Sequence, residues 1–409
     1  MESERKKLPG ALLLLLSALG FFFGTLAAIA VIIGVPFGLG SALSDAEALP
    51  LLSSGMLALV VAALNLPAFF LSIRYLRGKT IDTRYSKLFI PATLFLFLWA
   101  AALGAGYLII RSTISFLALA PLTVIAVAIP VWWLVEFSRR GLPRSKALRE
   151  WGTLAVGLSA APLIIMVVEI LLVVLIAVVV LIALSAQPGV MSQLSGIFEN
   201  IELYQGSLEQ LEEILYDLAQ NPLIAGALFL VVGLVAPFIE ELFKPMAIWF
   251  LLNRPLKEHE GFSLGLISGG AFALLESAGL VGQIGADTWL AAVTLRAATG
   301  LLHIGLSGLV SYGLVRSFNS KKFGRAFLYL LAAGGLHGAW NTLALLSGFT
   351  TTALPASAAE FQPSLGGTLT IAGMFTVFSA VLFIVLRINR KLRMAAAEVA
   401  HEPEKQASG

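Results

Sequence analysis

Long runs of apolar residues are the feature of this sequence that most limits how the chain can fold. A helix that crosses the hydrocarbon core of a bilayer needs about 20 mainly apolar residues. Ten runs of roughly this length or longer occur here, so the sequence predicts an all-α polytopic membrane protein with about ten transmembrane helices. The predicted spans are 10–36, 50–73, 88–110, 113–135, 153–186, 222–252, 262–282, 289–315, 326–347 and 366–387.

Composition supports the same fold class. The chain is 58% hydrophobic and 12% charged, whereas soluble domains carry about 25% charged residues. The absence of cysteine excludes disulfides, thiol nucleophiles and cysteine-based metal sites. The fifth and sixth runs are overlong, which indicates tilted or broken helices, and Pro237 and Pro245 predict a break in the sixth.

The distribution of basic residues predicts the orientation. Twenty-four of the 27 Lys and Arg residues lie in alternate loops and at both termini. Basic residues concentrate on the cytoplasmic side of membrane proteins, so we expect both termini to be inside the cell. The net charge of +3 then reflects topology, and we expect no nucleic-acid partner.

The chain divides into four regions in this interpretation. An N-terminal four-helix membrane region (1–152) is followed by a long fifth helix with an acidic outer loop (153–221), a four-helix catalytic core (222–347), and a last helix with a cytoplasmic tail (348–409). Apolar residues at helical spacing predict an amphipathic helix in loop 187–221. The composition predicts a disordered tail from about residue 394.

Ionisable residues inside the predicted spans point to a functional site. A charged group within the bilayer is costly and usually serves a function. Four of these residues fall near the middle of successive spans, and a shared depth favours a single polar site over scattered structural residues. The eight residues are Glu169, Glu240, Glu241, Lys244, Glu276, Arg296, His303 and His337.

These side chains suit hydrolysis. A buried glutamate can act as a general base toward water, and Asn341 offers an amide to a developing oxyanion. Two versions remain open. In the first, His303, His337 and a glutamate hold Zn²⁺ while a second glutamate acts as base. In the second, Glu240 activates water without a metal, and histidine and asparagine polarise the carbonyl.

Four motifs within 236–345 resemble those of the PrsW-type intramembrane proteases, a family related to the CAAX-endopeptidase and bacteriocin-immunity group. They occur in the family's order, and Glu276 stands where the CAAX branch has histidine. Ser277 follows it, where the family often has Asn. The motifs are Glu240-Glu241-Leu-Phe-Lys244, Phe272-Ala-Leu-Leu-Glu276, the isolated His303, and His337-Gly-Ala-Trp-Asn341.

The resemblance implies an endopeptidase that cuts membrane-anchored proteins in or near the bilayer. It further implies a bacterial cytoplasmic membrane and a substrate such as an anti-sigma factor. Glu240 would be the base, the other motif residues Glu241, Glu276, His303, His337 and Asn341 would complete the catalytic set, and His303, His337 and Glu276 would bind the metal if there is one. Lys244, Arg296 and Phe272 would have supporting roles.

Other interpretations stay open at this stage. Intramembrane Glu, His, Lys and Arg also build proton or metal pathways, so a transporter or channel is the main alternative. An inactive relative that serves as a scaffold is a third. Glu241 with Lys244 fits a neutralising structural pair, Arg296 fits a similar balancing role, and Glu169 stands apart on another helix.

Overall fold

The computed structural model describes residues 2–35, 45–79, 88–110, 115–187, 221–280, 288–351 and 365–407. Within these ranges the regular structure is helical and contains no strand, as the sequence predicts. The helices are α1 (Glu2–Gly34), α2 (Asp45–Leu76), α3 (Phe89–Ile109), α4 (Ser115–Ser138), α5 (Ala147–Leu158), α6 (Ala160–Ser185), α7 (Pro222–Leu230), α8 (Ala236–Phe243), α9 (Met246–Trp249), α10 (Glu258–Leu280), α11 (Trp289–Asn319), α12 (Gly324–Thr351) and α13 (Leu365–Ala407). A π-helical turn, Val231–Val235, joins α7 to α8.

Nine of the predicted spans correspond to stretches, among the described residues, that are long and apolar enough to cross a membrane. The exception is the predicted span 326–347. It lies in α12, which has 28 residues and is long enough, but it is not among the nine. His337, Asn341 and five glycines lower the mean hydropathy of this helix.

Both overlong spans are broken, as predicted. The fifth is interrupted at Ser159, which leaves the helical region with φ −131° and ψ −72° and separates α5 from α6. The sixth contains the π turn, and a second break at Lys244 and Pro245 separates α8 from α9. Proline has no N–H to donate; Pro245 lies in the second break, and Pro237 lies two residues after the end of the π turn.

Two further predictions concern segments beyond the spans. The prediction of a disordered tail from about residue 394 is wrong, because α13 continues to Ala407; the tail begins with an alanine-rich stretch, and alanine is the strongest helix former. The amphipathic helix predicted in loop 187–221 lies outside the described residues. The four-region division of the chain stays a prediction.

The chain forms two compact units, which are described separately. The first unit contains Met1–Leu163, Glu241–Ala333 and Phe378–Gly409. In it α1 packs on α2, α3 on α4, and α10 on α5 and α11. The backbones of α10 and α11 approach so closely that a Cβ atom on Gly269 would collide with the carbonyl of His303. Small residues therefore set the spacing of these two helices.

The second unit contains Ile164–Glu240 and Gly334–Val377. Its π turn packs against α12, and a Cβ atom on Gly338 would collide with the carbonyl oxygen of Gly233. Gly334 leaves space for the ring of Phe238 in the same way. Glycines at these contacts again allow close backbone approach.

Candidate active site

The motif residues of the first unit form a group that we call the Lys244 cluster, centred on a buried lysine. Lys244 lies at the break after α8, and its backbone carbonyl accepts a hydrogen bond from the Ser268 hydroxyl of α10. This contact ties the break to α10. The cluster consists of Glu241, Lys244, Phe272, Glu276, Arg296 and His303.

The Lys244 ammonium makes three contacts inside the cluster. Its Nζ atom lies 2.8 Å from Oε1 of Glu241 and 2.8 Å from Nδ1 of His303, and 4.3 Å from the centre of the Phe272 ring. Lys244, Glu241 and His303 are almost completely buried. A buried ammonium ion needs such partners, because an isolated charge is strongly disfavoured in an apolar environment.

The contacts of His303 assign its protonation. Since Lys244 donates to Nδ1, the proton of the neutral imidazole belongs on Nε2, which lies 2.6 Å from Oε2 of Glu276. The same carboxylate oxygen accepts from Nη2 of Arg296 at 2.6 Å. Both nitrogens of His303 are therefore engaged, and Glu276 is held by two donors.

The charges of this cluster balance. Glu241 pairs with Lys244, and Glu276 pairs with Arg296. With a neutral His303, two carboxylates face two cations. The cost of burying an ion is tolerated when the ion is paired and hydrogen-bonded, so this cluster is stable without any additional ion.

The motif residues of the second unit form the His337 group, defined by Glu240, His337 and Asn341. Oε2 of Glu240 lies 3.8 Å from Nε2 of His337, and both side chains are buried. This distance exceeds that of a direct hydrogen bond.

Asn341 is fixed by the π turn. In a π turn each carbonyl bonds to the N–H five residues on, and Ala236 donates to Val231 accordingly. The next carbonyl, that of Val232, would need Pro237, which has no N–H. Nδ2 of Asn341 supplies the missing donor at 3.2 Å. One of its two amide hydrogens is thus used to hold the backbone that leads to Glu240.

The structure brings together the sequence-predicted residues in these two sets, and it places Glu169 on α6 of the second unit. Three contributors were missed by sequence reasoning. They are the Ser268 hydroxyl, the carbonyl of Val232, and Ser277, whose hydroxyl accepts from Nε of Arg296 at 3.0 Å. Ser268 and Val232 contact motif residues distant in sequence, which residue spacing cannot reveal. Pro237 is the sequence signal for an unpaired carbonyl one turn before it.

The donor atoms in the protein fit a transition metal. In the second unit, Glu240 and His337 are buried and offer a carboxylate and an imidazole, and in the first unit the buried His303 offers an imidazole. Imidazole and carboxylate are the ligand types of catalytic zinc sites. For Glu276 the fit is weaker, because Arg296 and His303 already occupy one of its oxygens. His303 would have to give up one of its two contacts to bind a metal.

Comparison with known proteins shows the family to which the chain belongs. A family model described as PrsW family intramembrane metalloprotease matches residues 161–386, which is more than half of the 409 residues. The matched range includes every residue of the Lys244 cluster and the His337 group. No curated protein and no solved structure matches the chain.

Proposed function

Because this chain belongs to the PrsW family of intramembrane metalloproteases, we propose that it hydrolyses peptide bonds of membrane-anchored proteins with water activated by Glu240. Its helices and its family make it an integral-membrane protease. The finer proposal concerns the residue that activates water. The single observation that carries it is the position of Glu240, whose carboxylate lies 3.8 Å from the imidazole of His337 in a buried group.

Glu241 and Glu276 each form a close ion pair with a cation, at 2.8 and 2.6 Å. A carboxylate paired with Lys or Arg favours its ionised form and is a weak proton acceptor. Oε2 of Glu240 lies 3.8 Å from Nε2 of His337. A buried carboxylate next to histidine suits a group that takes a proton from water and returns it.

The proposed reaction conserves its protons. Glu240 removes a proton from water as the oxygen attacks the peptide carbonyl carbon, and the tetrahedral oxyanion accepts hydrogen bonds from His337 and from the second amide hydrogen of Asn341. The C–N bond then breaks, and protonated Glu240 gives the proton to the departing amine. The Lys244 cluster keeps the imidazole of His303 in the tautomer with its proton on Nε2.

If the enzyme uses a metal, we propose that His303 and His337 bind it together with a glutamate, Glu276 or Glu240. A bound zinc-type ion would polarise the carbonyl and acidify water. The choice of glutamate has a consequence, because a ligand role for Glu240 would remove it from the role of base. Metal analysis of purified protein, with chelator sensitivity and readdition, decides between the two versions.

We further propose a bacterial cytoplasmic membrane as the location and a single-pass regulatory protein, such as an anti-sigma factor, as the substrate. Family resemblance supports both. The direct test compares the membrane proteomes of a deletion strain and its parent. An uncut single-pass protein that accumulates in the deletion strain supports the proposal, and unchanged membrane proteins contradict it.

The chemical test uses purified enzyme in nanodiscs with a single-pass reporter in ¹⁸O-labelled water. Direct attack by water puts one ¹⁸O atom into the new carboxyl terminus that is formed in the first turnover. Replacement of His303 or His337 by Ala should abolish cleavage without loss of expression. Cleavage at the wild-type rate in either variant contradicts the assignment of that histidine.

A further inference from the structure

The first unit contains a large apolar cavity that the proposed chemistry does not use. Its volume is about 700 Å³, within the range of about 300–1,000 Å³ that is usual for small-molecule pockets. Helices α2, α3, α4, α5 and α10 form its walls. Apolar side chains that line it include Leu64, Phe95, Ile125, Trp132, Leu154 and Leu274.

One end of this cavity is polar. Glu136, Arg139 and Glu150 lie there, at the end of α4 and in α5. Arg139 pairs with Glu136 and also with Glu150, at 3.1 Å in the second case, and Arg144 lies 2.5 Å from Glu136. These four charges balance one another, so the ion-pair network at this end of the cavity has no net charge.

Arg140 follows Arg139 in the sequence but does not take part in these ion pairs. It is exposed, its guanidinium lies 4.7 Å from the centre of the Phe89 ring, and it forms no ion pair with a carboxylate of the described residues. Its neighbour Arg139 lines the cavity, and so does Leu88, the neighbour of Phe89. Among the described residues, Arg140 is thus a cation without a carboxylate partner, and it follows directly after a residue that lines the polar end of the cavity.

We propose that this cavity binds one acyl chain of a phospholipid whose phosphate pairs with Arg140. The apolar wall suits a hydrocarbon chain, and guanidinium groups bind phosphate strongly. Basic pockets between membrane helices on the cytoplasmic side are known to bind lipid head groups, and the segment 136–152 has the basic composition of a cytoplasmic loop.

The size of the cavity favours a lipid chain over a substrate helix. A spanning helix has about 20 residues and a diameter of about 10–12 Å, which is several times the available volume. The location has a consequence for the active site. Helix α10 lines the cavity with Ile267, Gly270 and Leu274. The same helix carries Phe272 and Glu276 of the Lys244 cluster, so a bound chain would pack against the helix that holds these two residues.

The test uses the full-length protein in vesicles that contain phosphatidylglycerol with a diazirine in one acyl chain. After photolysis, we expect labelled peptides from the cavity walls in α2–α5 and α10. Ala128→Phe, which puts an aromatic ring into the cavity where the chain would lie, should reduce this labelling strongly. Ala101→Phe is the matched control, because Ala101 is exposed on α3 and does not line the cavity.

A second arm tests the head group and does not disturb the core. Arg140→Gln should lower labelling by about fivefold, the equivalent of the ~1 kcal/mol that one basic residue contributes near an anionic surface. Arg77→Gln, an exposed arginine in another predicted cytoplasmic loop, should change nothing. A diacylglycerol probe with the same chain should label wild type as weakly as phosphatidylglycerol labels the Arg140 variant.

Three results would overturn the proposal. The first is equal labelling of the Ala128→Phe and Ala101→Phe proteins. The second is equal labelling by the two probes, which would mean that the phosphate is not recognised. The third is labelling of the cavity walls by a photoreactive single-pass helix and not by the lipid, which would assign the cavity to substrate.

Discussion

The Lys244 cluster and the His337 group contain the same residue types, glutamate and histidine, but hold them at different distances. In the Lys244 cluster the ion pairs measure 2.6–2.8 Å, and Glu276 lies 2.6 Å from His303. In the His337 group the glutamate and the histidine are 3.8 Å apart. Ion pairs this close hold the side chains of the first set in place. We therefore propose positioning as the role of the first set and proton transfer as the role of Glu240 in the second.

The largest effect on stability is expected when one member of the buried Glu241–Lys244 ion pair is removed. Glu241→Gln leaves the Lys244 ammonium without its carboxylate at 2.8 Å. Loss of one partner of a buried pair typically costs about 3–5 kcal/mol, so we expect a large fall in the free energy of unfolding, measured by denaturant titration in detergent.

The matched control is the double variant Glu241→Gln with Lys244→Met, which removes both charges. It should regain part of the lost stability, because no unpaired ion remains. A Glu241→Gln protein as stable as wild type would show that the pair does not hold the cluster together.

The next largest effect is expected at Arg296, which contacts both Glu276 and Ser277. Hydrogen bonds to charged groups are worth about 1.5–3 kcal/mol, so Arg296→Gln should destabilise the protein by about that amount. Ser277→Ala leaves the ion pair with Glu276 intact and removes the contact with Arg296 and the hydrogen bond to the Ala273 carbonyl; it should cost about 0.5–1.5 kcal/mol. If the two variants unfold at the same denaturant concentration, Glu276 is not the main partner of Arg296.

Much of this architecture can be predicted from the sequence, because its causes are local. Apolar runs predict the spans, and Pro237 and Pro245 predict the breaks in the sixth. Spacing places Glu241 and Lys244 within reach on one chain segment, and Arg296 with His303 on one face of α11, where both contact Glu276.

The rest depends on contacts between distant segments. Residue spacing gives no means of choosing Arg296 as the partner of Glu276, or Ser268 as the donor to the Lys244 carbonyl. The π turn has the sequence Val-Val-Gly-Leu-Val, which is ordinary for a membrane helix. Its consequence, the engagement of Asn341, follows only once α12 is in place.

Two glycines of α12 that are close in sequence to His337 allow a smaller, matched comparison of backbone spacing. Gly338→Ala would drive a methyl group into the carbonyl of Gly233, whereas the methyl of Gly335→Ala would meet no described atom within 4 Å. Overpacking costs about 1–3 kcal/mol, while alanine improves helix propensity by up to about 1 kcal/mol. Thermal unfolding should therefore shift down for Gly338→Ala and not for Gly335→Ala. Equal shifts would contradict the close approach.

The smallest effect is expected for Asn341→Ala, which removes the donor to the Val232 carbonyl at 3.2 Å. One hydrogen bond of this kind is worth about 0.5–1.5 kcal/mol. Asn341→Asp is the informative partner variant, because a carboxylate cannot donate to that carbonyl. Hydrogen exchange in the π turn should rise in both variants, and unchanged exchange would show that Asn341 does not hold the turn.

The most direct test of the roles proposed for Glu240 and Glu241 measures the cleavage rate and the unfolding free energy in the same preparations of Glu240→Gln and Glu241→Gln. General-base catalysis contributes about 10²–10⁴-fold. We predict that Glu240→Gln loses a rate factor of this size and keeps wild-type stability, and that Glu241→Gln is destabilised. A Glu240→Gln enzyme that cleaves the reporter at the wild-type rate would contradict the proposed division between the two sets of residues.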